Sequence, residues 1–190
     1  MKFIFLTDIH GISEHVKIIA QHLGSDVSFI SPYEKENEVP NQDMAYEYFH
    51  SVSSIDEYTC KVRDALTYID SPVILVGFSI GATVAWRLSE DTHLPVQNTI
   101  CIFGSRIRDY LNVKPIKPAS LFFSNDEKYF IDKLEPSDKI TIELIDCAHS
   151  EISKPDCCNI AVELINKALG TRALIFSFPQ NNITEHLMNI

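Results

Sequence analysis

The chain has 190 residues, with 16 Lys and Arg against 26 Asp and Glu, so its formal net charge is −10. At ~150 residues per domain this is one domain, long enough to bury about 70 % of its unfolded surface in a single core. With 45 % apolar and 22 % charged residues, the composition excludes intrinsic disorder. The acidic balance argues against nucleic acid or an anionic membrane as partner.

The five cysteines, Cys60, Cys101, Cys147, Cys157 and Cys158, are odd in number and irregular in spacing, and no C-x-x-C pair occurs. That is neither a disulfide framework nor a zinc site, and it reads as small hydrophobes on buried faces of a reduced, cytoplasmic protein. The apolar run Phe3 to Leu6, closed by Asp8, is shorter than the ~7 residues a secretory leader needs. No run approaches the ~18 apolar residues of a membrane span.

In chain order, residues 2–7 (KFIFLT) read as a buried strand. Residues 13–23 follow as a helix, with Val16, Ile19, Ala20 and Leu23 at helical spacing and Gly24 as the stop. Residues 26–30 form a second strand, ended by Ser31-Pro32. The polar stretch 33–54 lacks a strong period and predicts a loop with a short helix. Its aromatics Tyr33, Tyr46, Tyr48 and Phe49 suit either a pocket wall or staples beneath the loop. Residues 55–69 are a helix whose inner face is Ile55, Tyr58, Val62, Ala65, Leu66 and Ile69.

Residues 73–76 (VILV) are the most apolar strand, suited to the centre of a sheet covered on both faces. A helix at 80–89, strands at 99–103, 119–124 and 140–145, and a closing helix at 155–169 complete the series. Such alternation means βαβ crossovers: an α/β protein, a three-layer α/β/α sandwich around a mostly parallel sheet. Residues 1–170 make the domain. In the extension 171–190, residues 173–179 read as a possible seventh edge strand, so the chain is expected as a monomer or a homodimer.

The chemistry gathers at strand ends. Gly77-Phe78-Ser79-Ile80-Gly81 follows the VILV strand and opens a helix, which is the setting that makes a G-x-S-x-G motif informative. A tight strand-to-helix turn holds the serine in a strained conformation, so the flanking glycines must lack side chains. The turn lifts the Ser79 oxygen above the sheet edge and aims the first helical N–H groups, Ile80 among them, at developing negative charge.

The partners should follow as acid and then histidine, each just past a strand. Asp126 lies two residues beyond one strand and His149 four beyond the next. His149 would serve Ser79 as general base, and Asp126 would orient the imidazole. Glu127 and Asp146 remain alternative acids. After the first strand, Thr7-Asp8-Ile9-His10-Gly11 should supply a second N–H, best placed at Ile9. Asp8, His10 and Phe78 are candidates for lining or supporting the site. Asp8 suits equally a capping role, and His10 with His15 lacks a third ligand for a metal. Arg106 and Arg108 suit either salt pairing or the steering of a carboxylate or phosphate.

This pattern resembles the α/β-hydrolase superfamily, and more particularly its small, lidless dienelactone hydrolase-like members. The resemblance implies Ser79, Asp126 and His149 as a catalytic triad, with Ile80 and Ile9 as oxyanion donors. Asp8 stands where dienelactone hydrolases place a glutamate. Those enzymes use a cysteine nucleophile, whereas Ser79 looks like that of an ordinary esterase or acyl thioesterase. The superfamily's first strands lack counterparts, which implies a sheet of about six strands and no lid domain. The implied activity is hydrolysis of a small-molecule acyl ester or thioester, with no metal or organic cofactor. Acyl transfer, carrier-acyl thioesterase work and non-catalytic ligand binding are the alternatives.

Overall fold

The computed structural model describes residues 1–24, 26–34, 39, 41–151 and 158–170. The possible strand at 173–179 and the proposed role of the tail in dimerisation lie outside these residues. So does the predicted start of the closing helix at 155.

The strands are β1 (Lys2–Leu6), β2 (Asp26–Ile30), β3 (Val73–Phe78), β4 (Val96–Ile102), β5 (Ala119–Ser124) and β6 (Ile140–Ile145). All neighbours pair in parallel, in the order β2-β1-β3-β4-β5-β6. After β1 the chain steps outward to β2. After β3 it steps the other way, towards β4. The carboxyl ends of β1 and β3 therefore flank the point where the winding reverses, which is where open α/β sheets form a crevice.

Alternation along the strands feeds two cores. Phe3, Phe5, Ile74, Val76, Ile100 and Ile102 point to one face and meet α1 (Glu14–Leu23) and α6 (Cys158–Ala168). Ile4, Leu6, Val73, Leu75, Leu121 and Phe123 point to the other. There they meet α2 (Gln42–Val52), α3 (Ile55–Thr67) and α4 (Ile80–Leu88). Parallel strands covered on both faces have to be apolar throughout, and every residue of β3 and β5 is buried. Among the described residues no helix is long and apolar enough to cross a membrane.

Three local expectations change. Helix α2 runs for 11 residues where the sequence predicts mostly loop, because it buries little beyond Ala45 and Phe49 and so shows no periodicity. Its N-terminus is marked instead by Asn41, whose side chain accepts the Met44 N–H at 3.0 Å. In α3 the inner stripe is Tyr58, Thr59, Val62 and Leu66, while Ala65 is exposed. Cys60, two positions from both Tyr58 and Val62, consequently faces solvent, contrary to the expectation of buried cysteines. Cys101 and Cys158 are buried, Cys147 is half-buried, and Cys157 lies outside the described residues.

The glycines of the serine motif are contact points between backbones. A Cβ on Gly81 would stand 2.1 Å from the Leu6 carbonyl oxygen, and one on Gly77 would stand 2.3 Å from that of Gly81. Nothing flexible can yield there, because both obstacles are main chain. Gly81→Ala is expected to cost about 4 kcal/mol or more in urea unfolding, the range reserved for core disruption. Gly24→Ala meets open space and only the left-handed backbone penalty, about 1–2 kcal/mol. Equal costs for the two substitutions would refute the steric account.

Candidate active site

Ser79 joins β3 to α4 with φ 51° and ψ −110°, a conformation that costs a non-glycine residue about 1–3 kcal/mol. It is held there by its N–H, which donates to the Ile102 carbonyl at 2.9 Å, and by its carbonyl, which accepts the Thr83 N–H at 3.2 Å. The turn carries the Ser79 hydroxyl beyond the sheet edge. Ile80 is the first residue of α4, so its N–H has no acceptor four residues back in the helix, and the helix dipole adds positive potential beside Ser79.

Ser79 Oγ lies 3.0 Å from His149 Nε2. His149 reaches this position from the segment after β6. Its other ring nitrogen, Nδ1, lies 3.1 Å from Glu127 Oε1. With a carboxylate on Nδ1 the proton sits at that nitrogen, and Nε2 is left with its lone pair towards the serine. The acid on the ring is thus Glu127, not the expected Asp126. Asp126 is exposed and accepts the main-chain N–H of His149 at 3.0 Å. The reason is local. Residues 125–127 form a single 3-10 turn, in which successive side chains rotate by about 120°, so only one of the two acids can face the sheet edge. Glu127 Oε2 accepts the Ser124 N–H at 2.8 Å, which turns that carboxylate inward until the residue is 2 % exposed. The spacing Ser124-x-x-Glu127 is a capping-box pattern, and it was the available signal for this assignment. Asp146 accepts from the Asn125 side chain at 2.6 Å.

The other expected residues divide. Ile9 and Ile80 line a cleft of about 430 Å³ together with Ser79 and His149. Asp8 is buried and uses Oδ1 to accept the His10 N–H at 2.8 Å, so it braces its own loop. His10 sets its ring between the Val39 carbonyl, 2.6 Å from Nδ1, and Gln42 Oε1, 3.1 Å from Nε2. His15 instead puts Nδ1 3.1 Å from Cys158 Sγ, where α1 meets α6. Phe78 does not support the site. It packs edge-on against Phe5 at 5.4 Å, in the core on the α1 and α6 face, because strand alternation turns it away from the cleft.

Phe103 was not foreseen. It directly follows β4 with φ 54° and is fully buried, and its ring centroid lies 6.1 Å from that of His149. Its only trace in the sequence is its place at the end of a predicted strand, just before Gly104. Across the cleft, Tyr46, Phe49 and His50 of α2 and Ile55 of α3 form one wall. Tyr33 and Tyr48 pack against each other at 4.9 Å and do not line it. Arg106 and Arg108 also line the cleft, and Arg106 is paired with Asp109 at 2.7 Å.

No family model matches the sequence. The uncharacterized protein YczH of Bacillus subtilis (strain 168) is 30 % identical over 182 residues, covering 88 % of each chain. Among solved structures, a Klebsiella pneumoniae subsp. pneumoniae protein named as a dienelactone hydrolase superposes with a TM-score of 0.65 at 10 % identity. The match covers 90 % of this chain and 87 % of that one. The thioesterase domain from the curacin biosynthetic pathway gives 0.59 at 10 % identity, covering 87 % and 90 %. Est1E from Butyrivibrio proteoclasticus gives 0.57 at 10 % identity, covering 90 % and 88 %. At such identities the likeness is one of fold, and that fold is the α/β-hydrolase fold.

Proposed function

The chain belongs to the family of Bacillus subtilis YczH and has the α/β-hydrolase fold, and we propose that it is a serine hydrolase of carboxylic esters or thioesters. The observation that carries this reading is the unbroken contact series from Ser79 Oγ to His149 to the buried Glu127 carboxylate. In the reaction His149 Nε2 takes the Ser79 proton as Oγ attacks the acyl carbonyl. The oxyanion forms against the Ile80 and Ile9 N–H groups. His149 then protonates the departing alcohol or thiol, leaving an acyl group on Ser79. Water, deprotonated by the same nitrogen, releases the acid. The Glu127 carboxylate, 3.1 Å from Nδ1, orients the ring and stabilises the imidazolium in both halves.

The cleft of about 430 Å³ lies within the size range of small-molecule pockets, which supports a small to medium acyl group. Its apolar wall of Tyr46, Phe49 and Ile55 suits an acyl or aryl body. The test is covalent labelling of the native chain with a fluorophosphonate, followed by peptide mass mapping and a panel of p-nitrophenyl esters and acyl thioesters. One adduct on Ser79 and turnover of short and medium acyl chains are expected. A folded native chain that takes no label sinks the reading. Partition of product towards an added alcohol or thiol would shift it to acyl transfer.

A further inference from the structure

The loop after β1 is built so that one main-chain donor is left over. The Asp8 carbonyl accepts the Gly11 N–H at 3.2 Å, and the Gly11 carbonyl accepts the Ser13 N–H at 2.9 Å. The His10 N–H goes to Asp8 Oδ1 at 2.8 Å, and the His10 carbonyl accepts the Val39 N–H at 3.1 Å. The Ile9 carbonyl accepts the Tyr33 hydroxyl at 2.5 Å. From the Asp8 carbonyl to the Gly11 carbonyl, only the Ile9 N–H has no partner among the described residues. A trans peptide sets its C=O and N–H in opposite directions. With the Asp8 carbonyl committed to the inside of the turn, the Ile9 N–H is directed outward, and Ile9 lines the cleft beside Ser79.

We propose that Tyr33 is a positioning residue for this donor, its hydroxyl fixing the Ile9–His10 peptide so that the Ile9 N–H stays aimed at the oxyanion. The inference rests on the hydrolase reading above. The next peptide is held at both ends, by Tyr33 on its carbonyl and by Asp8 on its N–H, and it cannot rotate without leaving a buried acceptor unpaired. Tyr33 is itself anchored. It is 3 % exposed, its N–H donates to Ser31 Oγ at 3.2 Å, and its carbonyl accepts Lys61 Nζ at 2.5 Å. Tyr48 packs on its ring. Burial, aided by the nearby Asp8 charge, pushes the Tyr33 phenol well above its ordinary pKa, so it remains a donor at any working pH.

Tyr33→Phe removes only the oxygen. With a p-nitrophenyl ester, kcat is expected to fall about 10- to 100-fold with KM within twofold, somewhat less than the loss of an oxyanion donor itself. Inhibition by phenylboronic acid, whose tetrahedral adduct occupies the same donors, should weaken by a similar factor. Tyr58→Phe is the control. That hydroxyl is also buried, donating to the Ile30 carbonyl at 2.6 Å and the Thr7 carbonyl at 3.3 Å, so its loss should lower Tm while leaving kcat within twofold. Replacing Tyr33 by 4-aminophenylalanine restores a donor at the same place and should recover most of kcat. The proposal is overturned if Tyr33→Phe keeps kcat and boronate affinity, if it acts through KM alone, or if the amino variant is as slow as the Phe variant. A native chain that takes no fluorophosphonate label overturns the hydrolase reading first and this inference with it.

Discussion

Ser79→Ala is expected to abolish fluorophosphonate labelling, and both it and His149→Ala should lower ester turnover by about 10⁴-fold or more. Alanine keeps the main-chain bonds that build the turn, the N–H to Ile102 and the carbonyl to Thr83, so the fold survives and the loss is one of chemistry. His149 is 29 % exposed on its side chain and sits outside both cores, so its removal should shift Tm by only a few degrees. The two substitutions act on one proton transfer, and the double variant should be hardly slower than either alone. Additive losses, or residual turnover within tenfold of native in Ser79→Ala, would place the reactive group elsewhere.

The neighbouring acids should behave very differently. Glu127→Gln is expected to reduce kcat by about 10³–10⁴-fold at nearly unchanged stability. The Ser124 N–H demands an acceptor and takes the amide oxygen, which leaves the NH₂ facing His149 Nδ1. Imidazole must then carry its proton on Nε2, and the nitrogen that should accept from Ser79 becomes a donor. Asp126→Asn keeps an oxygen for the exposed His149 N–H and should leave kcat within about threefold. Stopped-flow or steady-state rates with one ester decide the matter. The reverse ranking would return the orienting role to Asp126.

The elements that could be read from sequence have short-range causes. The VILV strand is apolar because both faces are covered, and the serine turn needs Gly77 and Gly81 because two backbones meet there. Six strands and their order of appearance followed from such local signals. What escaped depends on direction or distance. Asp126 and Glu127 differ only by their rotation within one turn, and distance along the chain favoured neither. Helix α2 hides because it lies over the cleft, buries only Ala45 and Phe49, and leaves Met44, Tyr46 and Val52 exposed among its polar residues, which blurs the helical period. The Tyr33 hydroxyl meets the Ile9 carbonyl 24 residues away, and no periodicity reports a bond of that kind. Phe78 neighbours Ser79 in the motif, yet strand alternation turns it to the far face of the sheet.

The strand order also bears on synthesis. Lys2 of β1 pairs with Val73 of β3, so 71 residues separate the two halves of the central ladder. At ~5–20 residues per second, β1 waits about 4–14 s after leaving the ribosome before β3 exists. During that interval Phe3, Ile4, Phe5 and Leu6, all buried in the finished domain, have as strand partner only the partly exposed edge strand β2 and lack the cover of α4 and α6. The nascent chain therefore presents a sticky β-ribbon, and holdase chaperones should engage it most strongly between the completion of β2 and the emergence of β3.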